Sequence, residues 1–374
     1  MNIKPFKLER YFAKYEFSAP YLLSPSDCEP FTLKELLSIA DDDSKKLYEE
    51  MWLGYTESKG LPPLREEISK LYSTITADDV LVLIPEEGIF IAMSVLLEKG
   101  DHVITTYPGY QSLYEIAQSS GCEVTKWEID DEGENWNFNI DKLKSYIKTN
   151  TKLIVINFPH NPTGFTPSKD EFESILHLAK ENNIIVLSDE MYRFLEHDGA
   201  NRLDSASDLY ENAISLFGVS KTFALAGLRI GWLTTRNKEI YNKFATFKDY
   251  TTICSSAPSE ILALIALRQK RQVIERNLNI INTNLGLLEK FFDKYSSIFS
   301  WKRPKAGTIA FPKLKGSIKI DDFCTDLVEK KGVMLLPAST YDYDGNNFRI
   351  GFGRKNMPEA LEKLEEYLEE NTQA

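Results

Sequence analysis

Cysteine is scarce and scattered: Cys28, Cys122, Cys254 and Cys324 show no paired spacing in a chain of 374 residues. That excludes a disulfide framework and a cysteine zinc site, and fits small buried residues in a reducing compartment. The four histidines, at 102, 160, 177 and 197, also lack metal-ligand spacing, so no metal is expected. Basic charge is in deficit. Lys and Arg total 44 against 56 Asp and Glu, a net charge of −12, which argues against nucleic acid or an anionic membrane as the main partner. Long apolar runs are missing too: the stretch 259–267 carries Glu260 and ends at Arg268, well short of a membrane span. The first ten residues contain no apolar signal core, so a cytoplasmic protein is expected. No internal repeat, low-complexity tract or Pro/Gly/Ser-rich linker divides the chain.

What is present is an alternation. From about residue 62 to 235, short apolar runs at 81–84, 103–105, 153–156, 184–187 and 213–217 read as strands buried on both faces. Helical patterns lie between them, near 86–98, 109–120 and 168–182, the last opening on Ser168 with Glu171 three residues on. This predicts an α/β fold with a mostly parallel, doubly wound sheet whose ligand sits at the carboxyl ends of the strands. Residues 256–297 read as one long helix, and 308–353 as short strands around a helix near 320–331, followed by a helix opening at Asn356-Met357-Pro358-Glu359. The division expected is an N-terminal arm, 1–50, contributing to a smaller α+β domain; a large domain, 51–255; and a long helix with the rest of the small domain, 256–374.

The chemistry-bearing residues follow the apolar runs. Lys221 stands in Gly218-Val219-Ser220-Lys221-Thr222, a small and mostly apolar segment, with Arg229 in the Gly-Leu-Arg-Ile-Gly turn just beyond. A lysine so placed has a lowered pKa and can attack a carbonyl, while an arginine offers a planar fork to a phosphate. A carbonyl and a phosphate on one small molecule suggest pyridoxal 5′-phosphate (PLP). Asn161-Pro162-Thr163-Gly164 is by itself ordinary turn chemistry, and Asp189-Glu190-Met191-Tyr192 an ordinary polar strand end. Together they acquire roles: Asp189 to hold a protonated ring nitrogen, Asn161 and Tyr192 to bond a phenolic oxygen, and an aromatic of Tyr107-Pro108-Gly109-Tyr110 to stack on the ring.

Tyr55, Tyr110, Asn161, Asp189, Tyr192, Lys221, Arg229 and Arg349, in that order, resemble fold-type I PLP enzymes of the class I/II aminotransferase group. The resemblance implies that Lys221 is the Schiff-base lysine, that Asp189 and Tyr192 act in catalysis, and that Tyr110 stacks on the cofactor. It implies Arg229 as a phosphate ligand, Tyr55 as a residue reaching the neighbouring subunit's cofactor, and Arg349 as the partner of the substrate α-carboxylate; Ser220 is the candidate to bind the phosphate in place of a family serine. Asn161 is implied at both cofactor and substrate. Two departures concern the phosphate. The small-residue loop of the family is replaced by Ile84-Pro85-Glu86-Glu87-Gly88, where the helix N-terminus at Glu87 and Gly88 is expected to supply N–H donors. The position that is often a serine, three before Lys221, is Gly218.

The segments 9–16, 157–164 and 248–252 resemble more narrowly the branch containing capreomycidine synthase, which works on a modified arginine. That points to Asp27, in Ser24-Pro25-Ser26-Asp27-Cys28-Glu29, as a partner for a cationic or polar substrate side chain. The function implied is an aminotransferase moving an amino group between an L-amino acid and a 2-oxo acid, as a homodimer with shared sites. An elimination, cyclisation or oxidation on a basic amino acid is the alternative. A non-catalytic PLP-binding regulator is the remote one.

Overall fold

The computed structural model describes residues 2–131 and 133–372; the terminal positions 1, 373 and 374 of the expected segments lie outside them. Among the described residues one seven-stranded sheet organises the chain. Its order across the sheet is Val80–Leu83, Gly231–Thr234, Ala213–Gly218, Ile185–Asp189, Thr151–Asn157, His102–Tyr107, Glu123–Glu128. Gly231–Thr234 runs antiparallel to both neighbours, and the remaining pairs are parallel.

Side chains alternate along each strand, and helices cover both faces. Leu153 and Val155 join Pro85–Leu96, Ser112–Ser119 and Lys238–Lys248 on one face. Ile154 and Ile156 join Lys169–Glu181 on the other. Each fully buried aliphatic of this kind contributes about 1.5–3 kcal/mol relative to leaving it in water. Helix Lys169–Glu181 starts where the sequence predicts: Ser168 Oγ accepts from Glu171 N at 3.2 Å, and the Glu171 carboxylate accepts from Ser168 N at 2.7 Å.

The predicted long helix is two, Ala257–Arg268 and Lys270–Lys294, meeting at Gln269. The first packs with Leu64, Val80 and Trp232 beside the sheet, and the distal half of the second packs with the C-terminal elements. Those elements include an antiparallel trio, Ile309–Ala310, Phe348–Gly351 and Leu336–Pro337, with helices Ile320–Lys331 and Met357–Thr372. The N-terminal arm serves both regions. Tyr21–Leu22 pairs in parallel with Val333–Met334, whereas Leu36 and Ala40 pack with Ala257–Arg268. Helix Lys7–Tyr15 lies where the two regions meet, burying Leu8 and Phe12.

Candidate active site

A cavity of about 380 Å³ opens at the carboxyl ends of the parallel strands, a volume suited to a small ligand. Asp189, ending its strand, and Asn157, ending the adjacent one, are register partners. Asn157 ties the floor together: its Nδ2 donates to Asp189 O at 3.0 Å, and its Oδ1 accepts from Asn161 N at 2.7 Å. His160 holds the turn that follows through its Nδ1 contact with Thr163 Oγ1 at 2.8 Å, so it supports the loop.

Alternation separates two neighbouring acids. Glu190 turns away from the cavity and is fixed by Ser215 Oγ at 2.7 Å and Ala206 N at 2.9 Å. Asp189 faces the cavity with one bond, from Met191 N at 3.1 Å. Burial pushes the Asp189 carboxyl up to about 7, because removing a charge from water without a partner favours the neutral form. Lys221 enters from the loop after Ala213–Gly218, its Nζ donating to Ser26 Oγ at 2.9 Å. Burial holds its amine below the usual range, with the positive charges of Arg349 and Arg229 adding to the effect and Asp27 and Glu9 opposing it. A less basic amine is more often unprotonated, hence nucleophilic. The Tyr192 hydroxyl lines the same cavity, is buried, and has no hydrogen-bond partner among the described residues.

Arg349 is 2% exposed and forms no ion pair among the described residues. Its Nε and Nη2 both donate to Ser24 O, at 3.0 and 2.8 Å, and Nη1 donates to the Tyr341 hydroxyl at 2.7 Å. That hydroxyl in turn donates to Asn161 Oδ1 at 3.0 Å. The guanidinium is held rigidly at the cavity wall without an anion.

At the opposite end the structure corrects one expectation. Neither Glu87 nor Gly88 lines the cavity; Pro85 and Glu86 do. Glu87, the third residue of its helix, reaches back to Ile84 N at 3.3 Å and across to Thr252 Oγ1 at 2.8 Å and to Thr251. Gly88 spends its N–H on Ile84 O and packs against Leu83 and Leu216. Glu86, one residue earlier and so rotated by about 100°, points inward, and burial raises its carboxyl. Gly218 is also explained. A Cβ there would lie 3.0 Å from Gly231 Cα and 3.1 Å from the Pro85 ring, so a serine would be crowded by its neighbours. Ser220 lines the cavity instead, its hydroxyl buried and unpartnered among the described residues. Arg229 lines it too, from a left-handed backbone position with φ of 54°.

Tyr110 lines the cavity, its ring tilted on Phe6 and its hydroxyl 3.4 Å from Glu9 Oε1. Tyr55 does not. It is 85% exposed, beside a separate surface depression shared with Trp52 and Glu260. Asp27 borders the cavity, yet its carboxylate is taken by Arg354, at 3.2 Å from Nε and 2.9 Å from Nη2. It is not free for a substrate. Sequence reading missed Ser26, Asn157, Tyr341, Glu86, Glu9 and Glu16 as site residues; all but Tyr341 fell in segments it had singled out.

Comparison with known proteins gives a consistent result. Residues 30–364 match the family described as Aminotransferase class I and II. A solved PLP-dependent aminotransferase from Streptococcus suis superposes with a TM-score of 0.92 at 30% identity, covering 99% of each chain. A probable aspartate aminotransferase of Methanocaldococcus jannaschii is 27% identical over 97% of this chain and 96% of its own. Capreomycidine synthase of Streptomyces vinaceus is 26% identical over 75% of this chain and 72% of its own.

Proposed function

Because the chain belongs to the class I and II aminotransferases, enzymes that depend on PLP, we propose that this cavity holds PLP on Lys221 and exchanges an amino group between an L-amino acid and a 2-oxo acid. One observation carries the reading. A single cavity gathers a buried carboxyl without a cation, a buried guanidinium without an anion, and an amine of lowered basicity.

The residues fit the cofactor. Asp189 meets a protonated ring nitrogen, which supplies the missing cation, and the unpartnered Tyr192 hydroxyl and the Asn161 amide meet the ring oxygen. Tyr110 supplies the stacking face. Ser220 and Arg229 take the phosphate, and the inward Glu86 is compatible with it because burial favours its neutral form. When bound, PLP supplies an electron sink for the pair left at the substrate Cα. Arg349 holds the α-carboxylate in a bidentate grip, fixing the direction of the Cα–H bond, and Lys221 Nζ takes and returns the Cα proton. Helix Lys7–Tyr15 lines the cavity with Leu8, Glu9 and Phe12.

The test follows products. Incubation with an amino acid and 2-oxoglutarate should yield a new 2-oxo acid and glutamate in equal amounts. Ammonia or hydrogen peroxide in their place would turn the reading to elimination or oxidation.

The active unit is a homodimer in this reading. Trp52, Leu53 and Tyr55 are 77–85% exposed in one chain, an apolar surface that a second copy would bury, and Tyr55 then reaches the second copy's phosphate. Mixing Tyr55→Phe subunits with Lys221→Ala subunits should give heterodimers with one intact site, hence more activity than either parent alone. Activity no higher than the weighted average of the parents would place Tyr55 outside the shared site. The free cysteines, three of them buried, fit a cytoplasmic protein.

A further inference from the structure

Helix Lys7–Tyr15 turns an unexpected face inward. Leu8, Glu9, Phe12 and, at the helix C-cap, Glu16 recur at helical spacing and all line the cavity. Leu8 and Phe12 are buried and Glu16 half-buried, whereas Glu9 lies exposed at the cavity mouth, as Lys7, Arg10 and Lys14 do on the outer side. An amphipathic roof needs Leu8 and Phe12 inside; nothing about packing asks for a half-buried carboxylate at Glu16 with a second at the mouth. Neither acid is neutralised: among the described residues Glu9 and Glu16 form no ion pair, and Glu9 accepts only the long contact from Tyr110. Burial and the negative charges of Asp27 and Glu9 push the Glu16 carboxyl up against the opposing positive charges of Arg354 and Lys221, so a further cation beside it would relieve a standing cost.

The cations already in the cavity have other tasks. Lys221 is the attacking amine, Arg229 faces the phosphate and Arg349 the α-carboxylate, and Arg354 is spent on Asp27. The cavity is built for a ligand: the Tyr192 and Ser220 hydroxyls, 2% and 5% exposed, line it unpartnered, and they fall to the cofactor's ring oxygen and phosphate, which leaves the two acids for the substrate side chain. We infer that the amino acid taken by this enzyme carries a cationic side chain, guanidinium or ammonium, and that Glu9 and Glu16 are its specificity-determining residues. The inference rests on the reading of the cavity as a PLP site in which Arg349 takes the α-carboxylate.

The holoenzyme is titrated with arginine, lysine, and their neutral counterparts citrulline and norleucine, following the absorbance of the bound cofactor. At least one cationic amino acid should half-saturate at a concentration at least about tenfold lower than its neutral counterpart, the scale of a charge-assisted hydrogen bond. Which of the two does so identifies the head group. In a Glu9→Gln, Glu16→Gln double variant that ratio should collapse to within about twofold. If the double variant does not fold, as judged by its melting transition, the single variants carry the test, and at least one should cut the ratio at least threefold. Equal binding of charged and neutral partners by the wild type, or a ratio that survives the substitutions, overturns the inference. A spectrum that responds to no amino acid at all sinks the PLP reading instead, so the two failures are distinguishable.

Discussion

Lys221→Ala should lose turnover by about 10⁴-fold, the upper end of what one positioned proton-transfer group contributes, while still taking up PLP noncovalently. The loss is large because one amine has two tasks here, attachment of the cofactor and movement of the Cα proton. Its lowered basicity suits both. A small primary amine added to the variant should restore part of the rate, since the space left by the side chain opens on the cavity. Rescue that rises as the added amine becomes more basic would identify proton transfer as the missing step. A variant that keeps a tenth or more of wild-type turnover would remove Lys221 from the chemistry.

Asp189→Ala should leave the cofactor covalently attached and lower turnover by about 10²–10³-fold, as expected when a preorganised charge is removed from a water-poor site. The same group makes a separate prediction for the cofactor-free protein. Its carboxyl is raised from the ordinary 3.8 to about 7 in the fold, so between those values the native state binds more protons than the unfolded chain. Stability from this group therefore falls as pH rises through that window, and the full penalty stands above about pH 7. Asp189→Asn removes the penalty. Denaturant melts of the apoprotein should show the variant as stable as the wild type near pH 4 and more stable at pH 8. The opposite order would mean that Asp189 already has a cationic partner in the empty site.

Much of this architecture is legible in the sequence because the central strands are buried on both faces, which leaves continuous apolar runs, and because the reactive residues follow directly after them. Glu123–Glu128 escapes that logic: it is the sheet's edge strand, mostly half-exposed and polar. Gly231–Thr234 is hidden inside the Arg229 motif, since a four-residue strand that contains Gly and Thr lacks the continuous apolar run that marks the parallel strands. The break at Gln269 carries neither proline nor glycine to announce it.

Within the site, order along the chain identifies Lys221, Asp189, Asn161 and Arg349 as candidates but says nothing of side-chain direction. Glu86 and Glu87 differ by one residue, and only the helical rotation between them decides which faces the cavity. Ser26 meets Lys221 across 195 positions, and Tyr341 bridges Asn161 and Arg349 from the far end of the chain. Asp27 reads as a free acid until its partner, Arg354, is seen beside it.

The central claim is that Lys221 carries the cofactor. Borohydride reduction of the PLP-loaded protein, followed by proteolysis and mass spectrometry, tests it most directly. One stoichiometric pyridoxyl group is expected, on the peptide containing Lys221. A pyridoxyl group on another lysine, or no covalent label in a protein that turns over, would contradict it.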